Sequence, residues 1–162
     1  MKNKLLGVEF DPRPKTIIRD IDKDFDSVVI VNNKKKYPFE LLNDVDVLIQ
    51  TSDFNFSFKI PEAYVWNGAD IPKCLFIFGQ SKDNNYLHAS MVHDYMLEFK
   101  EEIFNDILKR EISVKEYRRL TSLIFRQILK DEDTNVIKAN IMAWTVDMFQ
   151  AAFNKKNWEC LK

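Results

Sequence analysis

The stretch Val45-Asp-Val-Leu-Ile-Gln-Thr-Ser-Asp-Phe-Asn-Phe-Ser-Phe-Lys-Ile60 alternates apolar and polar side chains on both sides of a short polar break. A period of two residues is the signature of a β-strand with one buried face. The break Thr51-Ser-Asp53 suits a hairpin loop, and only Leu48 interrupts the alternation before it. We therefore predict an antiparallel hairpin with one aromatic face, formed by Phe54, Phe56, Phe58 and Ile60.

Shorter apolar runs lie upstream of this hairpin. Residues 27–31, Ser-Val-Val-Ile-Val, are continuous and mostly β-branched, which indicates a strand buried on both faces. Residues 15–21 and 37–42 are predicted as further short strands. The run Asp11-Pro-Arg-Pro14 excludes a helix, so residues 1–14 are expected to form an extended arm ahead of a small antiparallel sheet.

The apolar period becomes helical downstream of residue 86. A first helix is predicted from there to about Arg110. Ser113 and Glu116 form a capping box, so a second helix is predicted to begin at this point and to end near Lys130.

A third helix is predicted after a cap at Asp133 or Thr134. Its apolar stripe is expected to face the core, and comprises Ile137, Ile141, Trp144, Met148 and Ala152. Strands followed by helices predict an α+β fold, with three α-helices packed on a small N-terminal antiparallel sheet. We expect one domain divided into an arm, a sheet, a polar loop, the helices and a tail, over residues 1–14, 15–66, 67–85, 86–154 and 155–162.

The composition is that of an ordinary globular chain of 162 residues. A net charge of −1 argues against a broad basic surface, so no nucleic-acid partner is expected. Cys74 and Cys160 are too few for a disulfide framework. No window approaches the ~20 apolar residues of a membrane span, and the N-terminal segment lacks the apolar run of a signal peptide. We expect a soluble protein that is not secreted by a signal peptide.

The first unusual run is Ile60-Pro-Glu-Ala-Tyr-Val-Trp-Asn-Gly-Ala-Asp-Ile-Pro72. Gly68 permits backbone angles that other residues resist, and Pro72 disfavours a helical residue before it. Asn67 and Asp70 are the polar groups of this shaped loop, and loops on a rigid scaffold often carry ligand-binding groups. Equally, both side chains could hydrogen-bond their own turn, or Asp70 could cap a short helix.

The second run is Asn85-Tyr-Leu-His-Ala-Ser-Met-Val-His-Asp-Tyr95, which contains both histidines. A neutral histidine is a good base or metal ligand, and a carboxylate can orient it or bind a hard metal. Neighbours on a helix point ~100° apart, so one of His93 and Asp94 can face a cleft while the other holds the loop or backbone beside it. His88 lies roughly 140° around the helix and is not expected to be a co-ligand. Alternatively, His93 is buried and donates its hydrogen bond to a carbonyl oxygen.

Acidic residues continue along the same predicted helix. Asp94, Glu98 and Glu101 share a face by their i, i+4 and i+7 spacing, so an acidic strip is predicted beside His93. The alternative is an ordinary solvated helix face.

Taken together, the two runs resemble the phage-associated domain-of-unknown-function 1353 family (DUF1353). The family pattern is a strand that ends in an apolar residue and proline, then Thr-Asp-Gly-Ala-Ser-Ile-Pro, then a helix with Ala-x-x-His-Asp-Tyr-Leu-Tyr. The matching segments are Ile60-Pro61, Trp66-Asn-Gly-Ala-Asp-Ile-Pro72 and Ser90-Met-Val-His-Asp-Tyr-Met-Leu97. The resemblance extends from about residue 28 to about residue 150. It implies that one site is formed by Asn67, Asp70, His93 and Asp94.

The chain departs from the family pattern in the loop. The family's aspartate is Asn67 here and its serine is Asp70, so the loop carboxylate is displaced by three residues. The family also has an acidic residue on the next helical stretch, a position that Glu101, Glu102 or Asp106 could fill. Its members occur mainly in bacteriophage and prophage genomes without an established general activity. The resemblance therefore implies a viral context rather than a reaction.

Two functions are compatible with these features. In the favoured one, the chain is a non-enzymatic virion, tail or accessory component located in the host cytoplasm or the virion, and its partners are other phage proteins. The His93-Asp94 pair then locks the helix to the loop, and the arm and tail dock on neighbouring chains. In the alternative, the chain is a small metal-dependent hydrolase in which His93, Asp94 and Asp70 bind a divalent metal ion or act on the substrate beside Asn67.

Overall fold

The computed structural model describes residues 4–18, 39–66, 86–108 and 111–152, together with Trp158 and Leu161. Residues 27–31, the loop with Asn67 and Asp70, and both cysteines lie outside this description. The strands are β1 Leu5–Asp11, β2 Thr16–Ile18, β3 Phe39–Leu41, β4 Val45–Thr51, β5 Asn55–Ile60 and β6 Val65–Trp66. The helices are α1 Leu87–Glu98, α2 Lys100–Glu102, a π-helical segment Ile103–Leu108, α3 Val114–Asp131 and α4 Val136–Ala152. The α+β prediction is confirmed.

The six strands form two three-stranded antiparallel sheets built from the same three chain segments. One sheet has the order β1-β4-β5 and the other the order β2-β3-β6. In the first sheet, Val8 lies opposite Ile49 and Val47 lies opposite Phe58. Each segment passes from one sheet to the other within a few residues, so the three segments keep their order through both sheets.

Two polar side chains hold the junction between the sheets. Asn43 Oδ1 accepts a hydrogen bond from the Lys15 N–H at 2.9 Å, and Asp44 Oδ1 accepts one from the Glu62 N–H at 2.8 Å. The bond from Glu62 is the main cause of a lowered pKa at Asp44. Ala63 has a φ of 66°, a left-handed conformation that turns the chain from β5 into β6.

The β4–β5 hairpin is confirmed. Its loop is closed by Thr51, whose Oγ1 accepts a hydrogen bond from the Phe54 N–H at 3.0 Å. Leu48 lies on the exposed face, so the alternation continues through the position that interrupted the apolar pattern. The buried residues of the hairpin include Val45, Val47, Ile49, Phe56, Phe58 and Ile60.

β1 corrects the prediction of an N-terminal arm. Residues 5–11 pair with β4 along the edge of the sheet, and β1 also contacts α3. The sequence did not indicate this strand because its register shifts between Leu5 and Gly7, and such a shift disrupts the period-two pattern.

The first predicted helix is divided rather than continuous to Arg110. α1 ends at Glu98, because the next residue, Phe99, leaves the helical region with φ and ψ of −98° and 26°. A π-helical segment follows the short α2. Within that segment Ile103, Phe104 and Leu108 are buried. Ile103 and Leu108 are five residues apart, the spacing of one π-helical turn. Both side chains therefore lie on the same side of the segment and face the core.

α3 agrees with the prediction at its cap and along its buried face. Ser113 Oγ accepts a hydrogen bond from the Glu116 N–H at 3.3 Å, while Glu116 Oε2 accepts one from the Ser113 N–H at 3.0 Å. The stripe predicted for this helix is buried, namely Tyr117, Leu120, Ile124 and Ile128. α3 packs against α1, α4 and β1 and is the central helix of the described core.

Two predictions for α4 were wrong. One concerned the residue that caps its N-terminus, and the other concerned the side of the helix that faces the core. Asn135 is the cap, because its Oδ1 accepts the N–H groups of Ile137 and Lys138. Asp133, with a left-handed φ of 62°, ends the α3 turn instead, and Thr134 is buried. Glu132, Asp133 and Thr134 separate α3 from this cap, so α4 begins later than predicted.

The predicted stripe of α4 faces outward. Ile137 and Trp144 are 70% and 65% exposed, whereas Ala139 and Ala143 are buried. Two alanines spaced four residues apart allow a close approach to α3. Because both sides of α4 are apolar, periodicity alone could not decide which side faces the core.

The described end of the tail packs on its own chain. Trp158 is buried, and its ring meets the Tyr117 ring edge-on at a centroid distance of 6.0 Å. Sheet and helix residues form one hydrophobic cluster. None of the helices in residues 86–108 and 111–152 combines the length and apolar run that a bilayer crossing requires.

Candidate functional site

α1 directs His93 and Asp94 to different neighbours. His93 is 7% exposed, and its ring lies edge-on to Phe125 of α3 at a centroid distance of 5.7 Å. Asp94 is half-buried, and its charge contributes to a raised pKa at Tyr64, beside β6. This divergence follows from the ~100° offset between adjacent helical residues.

The contact between the two side chains is long. His93 Nδ1 and Asp94 Oδ1 are 3.5 Å apart, beyond the usual 2.7–3.2 Å of a hydrogen bond. His93 Nε2 is buried and has no hydrogen-bond partner within the described part of the chain. The ring is therefore buried, as one interpretation of the sequence predicted, but no carbonyl there satisfies it.

A tyrosine–carboxylate pair lies beside Asp94. The Tyr64 hydroxyl donates a hydrogen bond to Glu98 Oε2 at 3.1 Å. Burial raises the pKa of Tyr64 far above its ordinary value, and the charges of Asp94 and Glu98 add to the rise. Tyr64 also meets Tyr95 edge-on at a centroid distance of 5.1 Å. The phenol keeps its proton and serves as a donor to the carboxylate.

Trp66 and Ser90 connect the two sequence runs. The Trp66 indole N–H donates a hydrogen bond to Ser90 Oγ at 3.2 Å, and the Ser90 hydroxyl donates to the Leu87 carbonyl at 2.9 Å. Ser90 lies one helical turn before His93. The residue that precedes the Asn67 loop is thus fixed to the helix that carries His93 and Asp94.

His88 belongs to a separate pair. Its Nδ1 contacts Glu132 Oε1 at the end of α3, and its ring packs near Phe10 of β1 at a centroid distance of 6.1 Å. Glu132 Oε2 is buried without a hydrogen-bond partner among the described residues. The pair ties the first turn of α1 to the end of α3. Its members are 44 residues apart, so no local pattern in the sequence marks it.

The predicted acidic strip is interrupted at Phe99. Glu98 ends α1, whereas Glu101 and Glu102 are exposed on α2. The Asp106 side chain, together with Asn67 and Asp70, lies outside the described residues. Elsewhere in the described ranges, no three His, Cys, Asp or Glu side chains converge as a metal-binding group. His93 and Asp94 would need a third donor, such as Asp70, to resemble a typical metal site.

A family model matches residues 39–146, from β3 into α4, and its description is a protein of unknown function, DUF1353. The chain belongs to the DUF1353 family. Neither the comparison with curated proteins nor the comparison with solved structures gave a match. The DUF1353 match includes Tyr64, Trp66, His93 and Asp94 but leaves β1 and β2 outside it.

The sequence does not identify Tyr64 and Phe125, which lie beside the His93-Asp94 pair. Tyr64 belongs to the first run, but nothing in the sequence indicates that it lies close to Glu98. Nor does the sequence indicate that the Phe125 ring on α3 meets the His93 ring. Tyr64 and Trp66 are aromatic residues two positions apart, which is the signal in the sequence that this end of the sheet packs on the helices.

Proposed function

We propose that the protein is a non-enzymatic virion, tail or accessory component of a bacteriophage or prophage, and that it acts by contact with other protein subunits. The observation that carries the proposal is the outward side of α4, where Ile137, Trp144 and Met148 are 70%, 65% and 48% exposed. Contiguous exposed apolar surface of this kind marks interaction sites on soluble proteins. A helix that is apolar on both sides is normally covered on both.

The packing of His93 supports a structural role for the His-Asp pair. The ring fills the space between α1 and α3 against Phe125, and Asp94 faces the edge of the sheet near Tyr64. Together with the bond between Trp66 and Ser90, these contacts hold α1 against both the sheet and α3. Such a role needs no substrate.

The viral context rests on the family resemblance, and the proposed partners and location rest on that context. The expected partners are other phage proteins, and the expected location is the host cytoplasm before assembly and the particle afterwards. The apolar side of α4 supports a protein partner in particular, because aromatic residues and methionine are enriched at protein–protein interfaces.

The test uses particles of the phage, or induced prophage, that encodes the chain. Quantitative mass spectrometry should find the chain in purified particles or in a stable complex with a phage subunit. Trp144→Glu should remove it from that assembly, whereas Leu6→Glu, the matched change at an exposed residue of β1, should not. A chain that is absent from particles and from every complex with a phage protein contradicts the proposal.

A small metal-dependent hydrolase is the second candidate, and one observation favours it. His93 Nε2 is a buried nitrogen without a hydrogen-bond partner among the described residues, next to the Asp94 carboxylate. A nitrogen in that condition can serve as a metal ligand or as a base. Asp70 and Asn67 would have to complete this site.

Thermal unfolding separates the two candidates. Wild type and His93→Gln are melted with chelator and then with calcium, magnesium, manganese or zinc. Binding at ~100 times the dissociation constant stabilises the fold by about 2.7 kcal/mol, which corresponds to a rise of roughly 5–10 °C. A rise that His93→Gln abolishes supports the hydrolase. If no ion raises the Tm and His93→Gln lowers it, His93 is a packing residue.

A further inference from the structure

Four residues of α4 form a narrow apolar seam on its outward side, the α4 seam: Ile137, Ile141, Trp144 and Met148. Their spacings alternate between four and three residues, as a and d positions do in a heptad repeat. A seam of this width fits one further helix rather than a flat surface. The opposite side of α4 is already occupied, because Ala139, Met142 and Ala143 are buried where α4 packs on α3.

The seam is large enough to form the centre of a stable interface. Ile137, Trp144 and Met148 are about half to two thirds exposed, and the neighbouring Val136 is 55% exposed. Trp144 is the largest of them, with a side-chain area of roughly 150–250 Å², of which 65% is exposed. A standard interface buries about 800 Å² on each partner, so the seam supplies the apolar centre of such an interface and its polar flanks must supply the remaining area.

The polar flanks of the seam are held in place by contacts within the chain. They consist of Asn140 and Asp147 on one side and of Lys138 and Thr145 on the other. Arg118 Nη1 donates to Asp147 Oδ1 at 2.7 Å, and Lys138 Nζ lies 4.9 Å from the centroid of the Tyr86 ring. Side chains fixed before association lose less entropy when a partner binds.

If the partner is a second α4 helix, these features favour the antiparallel orientation. In an antiparallel pair of identical helices the same flanks meet, so Asp147 faces the partner's Asn140, and Lys138 faces the partner's Thr145. No two like charges are brought together. Trp144 packs on the partner's Ile141, whereas a parallel pair would place two indoles in one layer. An antiparallel pair also opposes the two helix dipoles.

We propose that α4 pairs in an antiparallel arrangement with the α4 of a second copy of this chain, about a two-fold axis between Ile141 and Trp144. The inference rests on the proposed function, because it names a second copy of the chain as the subunit that contacts this α4 face, and other phage proteins would then bind the dimer. A two-fold axis makes the interface isologous, so the seam is used once by each copy and the assembly closes as a dimer.

The first test measures mass in solution. Sedimentation equilibrium of the full chain should show a monomer–dimer equilibrium, and Trp144→Glu should raise its dissociation constant at least about 30-fold, as loss of an aromatic hot spot does. Ile137→Glu should act in the same direction. Leu6→Glu should leave the equilibrium unchanged. A wild type that is monomeric throughout, or a dimer that tolerates both seam variants, overturns the pairing.

The second test fixes the orientation. Ile137→Cys and Met148→Cys are made separately in a background with Cys74→Ala and Cys160→Ala. An antiparallel pair brings residue 137 of one copy near residue 148 of the other, so the mixture should form a disulfide under oxidation, whereas each variant alone should not. Disulfides require Cα atoms within about 7 Å. Cross-linking of each variant with itself overturns the antiparallel arrangement.

The experiments can refute the α4 pairing without refuting the proposed function, and they can refute the proposed function without refuting the pairing. A monomeric chain that still enters particles through Trp144 refutes the pairing and leaves the function standing. A dimer sensitive to Trp144→Glu, in a protein whose Tm rises with a metal through His93, supports the pairing and contradicts the non-enzymatic function.

Discussion

The Trp66 indole is buried, so its N–H has no access to water and depends on Ser90 for a hydrogen bond. Ser90 donates its own proton to the Leu87 carbonyl, which leaves an oxygen lone pair to accept the indole N–H. One hydroxyl therefore fixes the end of β6 relative to the first turn of α1.

Ser90→Ala should lower the free energy of unfolding by about 1–3 kcal/mol, because it leaves the buried indole N–H unpaired. Urea denaturation of the purified chain measures the change. Trp66→Phe is the partner variant, since it removes the donor and keeps an aromatic ring. The double variant should lose less than the sum of the single losses, and strictly additive losses contradict the coupling.

Three tyrosines make the fold sensitive to alkali. Burial is the first cause of a raised pKa at Tyr64, Tyr95 and Tyr117. The unfolded chain releases these protons near pH 10 while the folded chain retains them. Their stabilising contribution is therefore complete below about pH 10 and falls as pH rises above it.

Stability measured by urea denaturation should accordingly fall from about pH 10 upward, and the near-ultraviolet absorbance of phenolate should rise together with unfolding. Tyr64→Phe should reduce the slope of stability against pH in this range, because one retained proton is gone. Reversible titration of all five tyrosines near their ordinary pKa in a folded chain contradicts the prediction.

At the scale of single elements, sequence pattern was informative where one face of an element is polar. The β4–β5 hairpin and α3 have such faces, and their buried residues were predicted. α4 has apolar residues on both sides, so the side that packs on α3 was decided by the small size of Ala139 and Ala143 rather than by hydrophobicity. β1 was missed because its register shift disrupts alternation.

Ala139→Leu should destabilise the fold by about 1–3 kcal/mol, because the larger side chain must fit where α4 approaches α3. Ala151→Leu is the matched control, since Ala151 is exposed on the same helix, and it should change stability by less than about 0.5 kcal/mol. Thermal or urea denaturation compares the two. Equal effects of the two substitutions contradict the assigned facing of α4.

At the scale of the molecule, the α+β class and the family followed from the order of strands, helices and motifs. The pairing of distant segments did not. His88 and Glu132 meet through the tertiary fold alone, and so do Tyr64 and Glu98. Of the predicted site, His93 and Asp94 lie in described parts of the chain, and their separate neighbours depend on which helices and strands surround α1.

The family match begins at residue 39, but the folded unit extends upstream of it. β1 pairs with β4 and contacts α3. A chain that begins at Phe39 should therefore lose cooperative thermal unfolding, as followed by circular dichroism, and a peptide of residues 4–18 added in trans should restore part of it. A truncated chain that melts at the wild-type temperature contradicts this expectation.

The contact between β1 and α3 also sets an order of events during synthesis. β1 leaves the ribosome before the helix that covers it, and that helix is complete only when Asp131 has been added. At roughly 5–20 residues per second, the interval is on the order of ten seconds. During that time the nascent β1 cannot reach its final environment, so we expect its apolar side chains to be accessible to a chaperone at the exit tunnel.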